Sequence, residues 1–210
     1  MLTNIRFLCL LLALALAGCA RPPHVPKPVP GLAGASSEEQ VRIAAAAASG
    51  QRKGELELRL AELLLPRVSY DARAAAEVPV LLADAERVLR SGDQRAWAAT
   101  QLAYGRYWLQ VREPPPPERI QRAQTYFAAA EFALVLPADA AKLAMIYAWL
   151  GMAEMQLSQT SNDTVPHFRR ARDYFTLART LWRSLGAEPE SEAMSHQIRR
   201  LDDEWRRHVR

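Results

Sequence analysis

From about residue 36 to the C-terminus, hydrophobic residues recur at the spacing of an α-helix. Leu56, Leu60, Leu63 and Leu64, for example, stand at i, i+4, i+7 and i+8, which places them on one face of a helix. No run alternates hydrophobic and polar residues with enrichment in β-branched side chains, as a half-buried strand does. The spacing therefore predicts an all-α fold.

Glycines, prolines and capping residues divide this region into eight predicted helices. The first begins at the capping boxes of Ser36 and Ser37 and stops at Gly50. Short connections make consecutive helices antiparallel, and Pro79 is expected to kink or break the third helix. The second helix ends at Pro66, and the other six cover about residues 69–90, 94–112, 118–135, 140–158, 165–185 and 190–208, with Asp93 and Asp139 as N-caps.

A spacing of small and aromatic residues recurs along these helices. The segments 123–130 and 171–178 both read Ala-x-x-x-Phe-x-x-Ala and lie 48 residues apart, and the segment 76–83 is a weaker copy with valine. Tyr104-Gly105 and Leu150-Gly151 precede the two stronger copies. Small residues let two helices approach, the aromatic fills the space beside them, and each hairpin leaves an apolar face for its neighbour. The two phenylalanines, Phe127 and Phe175, are therefore expected to be buried.

This arrangement resembles the tetratricopeptide repeat family, whose first helix carries Leu-Gly and whose second carries Ala, an aromatic residue four later and Ala three later. Leu150-Gly151 with the segment 171–178 fits that pattern best. The resemblance covers roughly residues 93–186, or 52–186 at its widest, and implies antiparallel helical hairpins stacked as a short α-solenoid. The chain departs from the family's period of about 34 residues, because the segments 114–117 and 158–166 lengthen its connections. A plain helical bundle is the alternative.

The N-terminus carries a short apolar run that ends in Leu16-Ala17-Gly18-Cys19. The run, residues 7–16, is shorter than the roughly 20 residues that span a membrane and has the length of a secretory signal. This sequence resembles the lipobox of bacterial lipoprotein signal peptides, with an ordinary cleaved signal as the alternative. The resemblance implies cleavage before Cys19 and anchoring to membrane lipid through acyl chains on that residue. Ala20, in place of an aspartate, implies the outer membrane and a periplasm-facing protein.

Three segments follow from these patterns. Residues 1–18 form the cleaved signal peptide, residues 19–36 the lipidated cysteine with a proline-rich tether, and residues 37–210 the helical-repeat domain. Proline without periodicity favours extended polyproline II in the tether. Cys9 leaves with the signal, so Cys19 is the one cysteine of the mature chain and no disulfide forms within it.

No catalytic or cofactor motif is visible in the sequence. The four histidines do not stand at metal-ligand spacing, no serine lies in a nucleophile elbow, and no glycine-rich phosphate loop occurs. The formal net charge of +4 is too mild to indicate nucleic-acid binding. We therefore predict that the protein is not an enzyme and binds neither a metal, a cofactor nor nucleic acid.

Two surfaces are candidates for partner binding. Four arginines of the seventh helix fall within about 80° of one another at 100° per residue, and this face suits anionic lipid, glycan or an acidic peptide. Aromatic residues of the fourth and sixth helices are expected to line a concave surface that binds a peptide. A solvated face and internal packing are the respective alternatives. The candidates are Arg169, Arg172, Arg179 and Arg183 on the cationic face, and Tyr104, Tyr107, Trp108 and Tyr147 on the aromatic surface.

These features together predict a membrane-anchored envelope lipoprotein that acts as a protein–protein interaction scaffold or assembly adaptor. Its expected partners are membrane lipid, through Cys19, and a protein or peptide of the envelope. An envelope hydrolase acting on peptidoglycan at an unrecognised site is one alternative, and a structural spacer is another. A groove lined by Tyr107, Trp108 and Tyr147 would favour the adaptor, whereas a buried carboxylate in a deep pocket would favour the hydrolase.

Overall fold

A computed structural model describes residues 37–208, with side chains to residue 207. No strand occurs in this range, and the predicted all-α class is confirmed. The signal peptide, Cys19 and the tether lie outside the described residues. Eight α-helices follow one another, with a 3-10 turn at Leu65–Arg67 after the second: α1 Ser37–Ala47, α2 Gly50–Leu64, α3 Ala72–Leu89, α4 Gln94–Gln110, α5 Pro116–Phe132, α6 Ala140–Ser158, α7 Val165–Ser184 and α8 Glu188–His208.

The described chain forms two compact units. The N-terminal unit comprises residues 37–114 and 125–133, and therefore contains α1 to α4 and the second half of α5. The C-terminal unit comprises residues 115–124 and 134–208, with the first half of α5 and all of α6 to α8. The region 37–210, which the sequence treats as one domain, is thus divided within α5.

Aspartate side chains fix the starts of two helices. The Asp93 carboxylate accepts hydrogen bonds from the backbone N–H groups of Arg95 and Ala96, at 2.8 and 3.2 Å, as the sequence predicts for an N-cap. Asp71 caps α3 in the same way, which moves the start of that helix from the expected residue 69 to residue 72. Asp139 also stands at an N-cap, but its carboxylate accepts instead from the backbone N–H of Val135.

The hairpin of α2 and α3 corrects the weaker repeat copy at 76–83. Val80 is 60% exposed, and Ala76 and Ala83 are exposed as well. A Cβ added to Gly54 would meet the Leu89 side chain at 3.2 Å, which fixes how these antiparallel helices face each other. Ala61 of α2 and Leu82 of α3 each stand seven residues inward from this contact, and both are fully buried.

The residues of this helix that carry the same spacing on its buried face are Val78, Leu82 and Ala85, two residues further along than the sequence pattern suggested. All three side chains are fully buried. Leu82 stands 45 residues before Phe127, and Ala61 stands 44 residues before Gly105. Ala61 and Leu82 therefore stand at intervals close to those that separate the glycines and phenylalanines of the later hairpins. The copy at 76–83 was wrongly placed because, in an alanine-rich chain, the pattern Ala-x-x-x-apolar-x-x-Ala matches at several starting positions along one helix.

Helix α1 is held within the N-terminal unit by charged side chains. Glu38 accepts hydrogen bonds from Arg42, at 3.2 Å, and from Arg67, at 2.6 Å, and Arg42 also pairs with Glu77 of α3. Burial raises the pKa of Glu38, but the hydrogen bonds and positive charges of Arg42 and Arg67 outweigh it, so the pKa lies below its ordinary value. Glu38 is therefore anionic at neutral pH and joins α1 to the end of α2.

In the C-terminal unit α6 packs against α7, and α7 packs against α8. Residues of α7 at helical spacing point inward and are buried, which is the face that the sequence assigned to the core. Gly186 follows α7 with a φ of +69°, a conformation that glycine adopts without strain. The buried side chains of α7 are Phe168, Ala171, Phe175, Ala178 and Trp182.

Candidate functional site

Glycine and phenylalanine meet at an equivalent point in each unit. A Cβ added to Gly105 of α4 would lie less than 3.0 Å from the Phe127 ring of α5, and one added to Gly151 of α6 would lie equally close to the Phe175 ring of α7. Both phenylalanines are fully buried, as predicted. The absence of a side chain on each glycine therefore creates the space that the ring fills, and these contacts fix the helices that carry the candidate site residues.

Tyrosine pairs lie beside both contacts. The Tyr104 ring stacks on Tyr126, with centroids 4.7 Å apart and an angle of 15° between the rings. The Tyr147 ring stacks on Tyr174 at 6.3 Å and 16°. Burial, followed by the negative charge of Glu86, raises the pKa of Tyr104 above its ordinary value, so its hydroxyl stays protonated.

Tyr107 repairs a hydrogen bond that Pro79 removes from α3. The proline has no N–H to donate to the carbonyl of Ala75, four residues earlier. The Tyr107 hydroxyl donates to that carbonyl instead, at 3.0 Å. Burial raises the pKa of Tyr107, which keeps this donor protonated. Pro79 does not break the helix, since α3 is continuous from Ala72 to Leu89.

The predicted aromatic surface is largely internal in this structure. Tyr104 and Tyr107 each expose only 8% of their surface, whereas Trp108 and Tyr147 are half-buried. Trp108 contacts Tyr107 edge-to-face, with centroids 5.4 Å apart, and packs against the core of the N-terminal unit. Tyr104 and Tyr107 thus have packing roles and little surface for a partner. Partner contact through the four aromatic residues stays a prediction.

A buried carboxylate stands in the middle of the C-terminal unit. Glu154 of α6 is only 4% exposed. Its Oε1 accepts a hydrogen bond from Nε2 of Gln124, at 2.9 Å, while its Oε2 lies 2.7 Å from Nδ1 of His167 and 3.0 Å from Nε of Arg170. Three donors from α5 and α7 therefore satisfy both oxygens of this carboxylate. Such a group costs free energy to bury but stabilises the unit once all its partners are present.

The arginine face of α7 lies on the surface of the C-terminal unit, beside the buried face and about 100° around the helix from it. Arg169, Arg172 and Arg183 are exposed, and Arg179 is half-buried. Nε of Arg172 donates to Oδ1 of Asp202 on α8, at 3.1 Å. Among the residues that the structure describes, the other three arginines form no ion pair or side-chain hydrogen bond. Most of the positive charge of this face is therefore available to an anionic partner.

A cleft of about 300 Å³ opens between α7 and α8 at the N-terminal end of this face. Three apolar side chains line it, and two of them, Phe168 and Trp205, meet edge-to-face with centroids 5.8 Å apart. Charged groups of both signs complete the wall. The lining residues are Phe168, Arg169, Arg172, Leu201, Asp202 and Trp205. The cleft thus joins an aromatic surface to two of the arginines that the sequence singled out.

The sequence patterns missed Glu154 and the α8 side of the cleft. Glu154 carries the one carboxylate of α6, whose other residues are mostly apolar, and a lone acid on such a helix indicates a buried pair. Asp202 and Trp205 stand among several charged residues near the C-terminus, and nothing in that pattern indicates a contact with α7. Only the pairing of the two helices brings them to Arg172 and Phe168.

Within residues 37–208 no group of three or more histidine, cysteine, aspartate or glutamate side chains is placed to hold a metal ion. Over the same residues, each helix is either too short or too polar to cross a membrane. Comparisons of the chain with protein-family models, with curated proteins and with solved structures find no match.

Proposed function

We propose that this chain is an envelope lipoprotein, anchored through Cys19, whose helical domain serves as an interaction scaffold or assembly adaptor. The observation that carries the adaptor role is the arginine face of α7, where Arg169, Arg179 and Arg183 have no ion-pair partner among the described residues. Arginine binds carboxylates and phosphates through a planar set of donors, so such a face suits an anionic partner.

The anchor rests on the sequence Leu16-Ala17-Gly18-Cys19 and on the short apolar run before it. Two or more acyl chains hold a protein stably at a membrane, whereas one chain binds only marginally. With Ala20 after the cysteine, we propose the outer membrane as its site, with the domain facing the periplasm. The Pro-rich segment 21–36 would act as the tether.

Mass spectrometry of the mature N-terminus tests this anchor. We expect an acylated cysteine at position 19 and release of the Cys19→Ala variant from the membrane fraction. Cys9→Ala is the matched control, since Cys9 should leave with the signal, and this variant should be processed normally. An unmodified N-terminus at another residue contradicts the anchor.

The scaffold role is supported by repeated helix-pair geometry. Gly105 with Phe127 and Gly151 with Phe175 are two small-to-large contacts at intervals of 46 and 48 residues, and buried Ala61 and Leu82 stand 44 and 45 residues before the first. We propose that these hairpins are degenerate tetratricopeptide-like repeats. Repeats of this kind typically present surface for binding proteins rather than a catalytic centre.

Proximity labelling in the native cell tests the adaptor role. The triple variant Arg169→Gln, Arg179→Gln and Arg183→Gln should lose its main labelled partners while it keeps its membrane localisation. Arg90, Arg112 and Arg199 are exposed as well, and changing these three to glutamine is the matched control. Identical labelling by both triple variants and the native protein contradicts the proposal that this face is used.

The enzymatic alternative required a buried carboxylate in a deep pocket. Glu154 is buried, but its two oxygens accept hydrogen bonds or ion pairs from Gln124, His167 and Arg170. It is also absent from the lining of the α7–α8 cleft. These contacts favour a structural role for Glu154, and we retain the adaptor as the proposed function.

A further inference from the structure

We propose that the cleft between α7 and α8 binds one large apolar side chain of an acidic peptide segment, whose carboxylates lie along the arginine face of α7. This inference rests on the proposed adaptor function and names the chemistry of its partner. The segment would belong to a protein of the envelope, and its defining features are one aromatic or large aliphatic residue and several aspartates or glutamates.

The wall of the cleft explains the apolar anchor. Half-buried Trp205 supplies most of its accessible hydrophobic surface, above the buried Phe168 and Leu201, and a volume of about 300 Å³ is at the small end of ligand-binding sites. One large side chain fits such a space. Burying an aromatic or aliphatic anchor contributes strongly to binding, because it removes apolar surface of both partners from water.

The charges at the rim explain why the segment is acidic. Arg169 has no ion pair among the described residues, and Arg172 uses its Nε to bind Asp202, at 3.1 Å. Two guanidinium groups and one carboxylate leave a net positive charge at the mouth of the cleft. Asp202 also orients Arg172, so its terminal Nη groups can donate to an incoming carboxylate without further ordering.

The remaining arginines set the length of the segment. Arg169 and Arg183 are separated by about 21 Å along α7, at 1.5 Å per residue. An extended peptide advances at most about 3.3–3.6 Å per residue, so roughly six residues span this distance. The acidic residues should therefore begin next to the apolar anchor and continue over about six positions.

A peptide explains these observations better than an anionic membrane surface does. A flat layer of headgroups would leave the recess beside Phe168 and Trp205 unfilled. Asp202 in the wall would repel the phosphate of any lipid headgroup that lies next to it. A peptide can instead place an apolar side chain beside Asp202 and its acidic side chains further along. The membrane is therefore the alternative occupant that the experiment must separate.

Selection from a peptide library tests the inference. A phage-displayed library of random peptides of about twelve residues is selected on the full-length chain purified in detergent. We expect enriched peptides to combine one aromatic or large aliphatic residue with several acidic residues within about six positions. Enrichment of peptides without acidic residues, or no enrichment at all, overturns the proposal.

An enriched peptide is then synthesised with a fluorescent label, and its affinity is measured by anisotropy. Arg169→Gln should weaken binding about tenfold, and so should alanine at the apolar residue of the peptide. Arg199→Gln, an exposed arginine of α8 outside the cleft, should change the affinity less than about twofold. Equal effects of the two arginine variants overturn the proposal, since they indicate only a general attraction of charge.

Two further arms complete the experiment. Trp205→Leu should also weaken binding; if that variant loses its helical circular dichroism, the alanine peptide tests the same contact with the native protein. Vesicles containing about 30% anionic lipid, at which surface charge attracts basic segments, should not displace the peptide. Displacement assigns the face to the membrane and overturns the proposal.

The outcomes separate this inference from the proposed function. Suppose that the selected peptides are acidic, carry an apolar anchor and need Arg169 for binding, but cellular labelling does not change when the arginine face is neutralised. The cleft proposal is then supported and the adaptor proposal fails. Conversely, labelling that depends on the arginine face supports the adaptor, while peptides selected without an anchor or acidic residues refute the cleft.

Discussion

The two Gly–Phe contacts share their geometry but differ in what surrounds them. Gly105 with Phe127 and Gly151 with Phe175 each place a buried ring where a Cβ would not fit. Three residues after the glycine, however, the N-terminal unit has half-buried Trp108, and the C-terminal unit has buried Glu154. At this position the first contact has an aromatic neighbour and the second an ionic one, although a tyrosine pair lies beside each contact.

This difference indicates which positions a repeated helix pair constrains. The glycine and the ring must fit each other because a Cβ on the glycine would overlap the ring. The position three residues after the glycine differs between the two contacts: Trp108 packs edge-to-face on Tyr107, whereas Glu154 binds Gln124, His167 and Arg170. The two contacts therefore share the packing of glycine against phenylalanine, whereas the side chains beside them differ in chemical type.

The largest expected effect tests whether the two contacts are equivalent. Phe127→Ala and Phe175→Ala should each lower the free energy of unfolding by about 3–5 kcal/mol, because each removes a fully buried ring and leaves a cavity. Hydrogen exchange of backbone amides in each unit, with urea denaturation, measures the loss. A loss below about 1 kcal/mol at either position contradicts the comparison.

Adding a methyl group to either glycine tests the fit between the glycine and the phenylalanine ring by changing the glycine instead of the ring. Gly105→Ala and Gly151→Ala should cost about 2–3 kcal/mol, since the new Cβ overlaps the ring. Combining each with a smaller residue, Phe127→Leu or Phe175→Leu, should cost less than the sum of the two single changes. Additive losses in a double-mutant cycle would show that the glycine and the ring do not constrain each other.

The ionic surroundings of the second contact give the next effect. Glu154→Gln should lower the free energy of unfolding by about 1–2 kcal/mol, because it removes the charge that accepts from His167 and Arg170. Glu192→Gln, at an exposed position of α8, is the control and should change it by less than about 0.5 kcal/mol. Equal values for the two variants would mean that the Glu154 network contributes nothing.

The aromatic surroundings of the first contact are tested by the Tyr107 hydroxyl. Tyr107→Phe should cost about 1 kcal/mol, because the carbonyl of Ala75 loses a donor. In a Pro79→Ala background, the new N–H of residue 79 can bond to that carbonyl, so the same change should cost less. Thermal denaturation of the four proteins of this cycle measures the coupling, and a coupling of zero refutes the repair role.

The smallest effect concerns α1, which charged side chains join to the rest of the N-terminal unit. The pKa of Glu38 is lowered in the folded protein, so its stabilising contribution is complete above the unfolded pKa and is lost as the pH falls through the folded pKa. Between about pH 5 and pH 3, amides of α1 should lose up to about 1 kcal/mol of protection. Glu38→Gln should lack this pH dependence, and its persistence contradicts the role of Glu38.

Local patterns in the sequence predicted the helices well. Gly92 with Asp93, the prolines around residue 115, and Pro166 mark real boundaries, because each acts within a single turn. The inward face of α7 and the burial of Phe127 and Phe175 were predicted for the same reason, since their spacing follows from one helix alone. Val80 was wrongly assigned to the core because apolar residues lie on several faces of α3, and only packing against the neighbouring helix decides which face is buried.

The sequence by itself therefore determined the all-α class, most helix boundaries and the arginine face of α7, since each depends on residues within a few turns of one helix. The tertiary structure decided that Tyr104 and Tyr107 are internal, that the Tyr107 hydroxyl replaces the N–H missing at Pro79, and that Glu154 is satisfied by three side chains. It also decided the cleft between α7 and α8. These features join residues that are 13 to 37 positions apart, and such contacts depend on how two helices face each other, which the spacing within one helix does not specify.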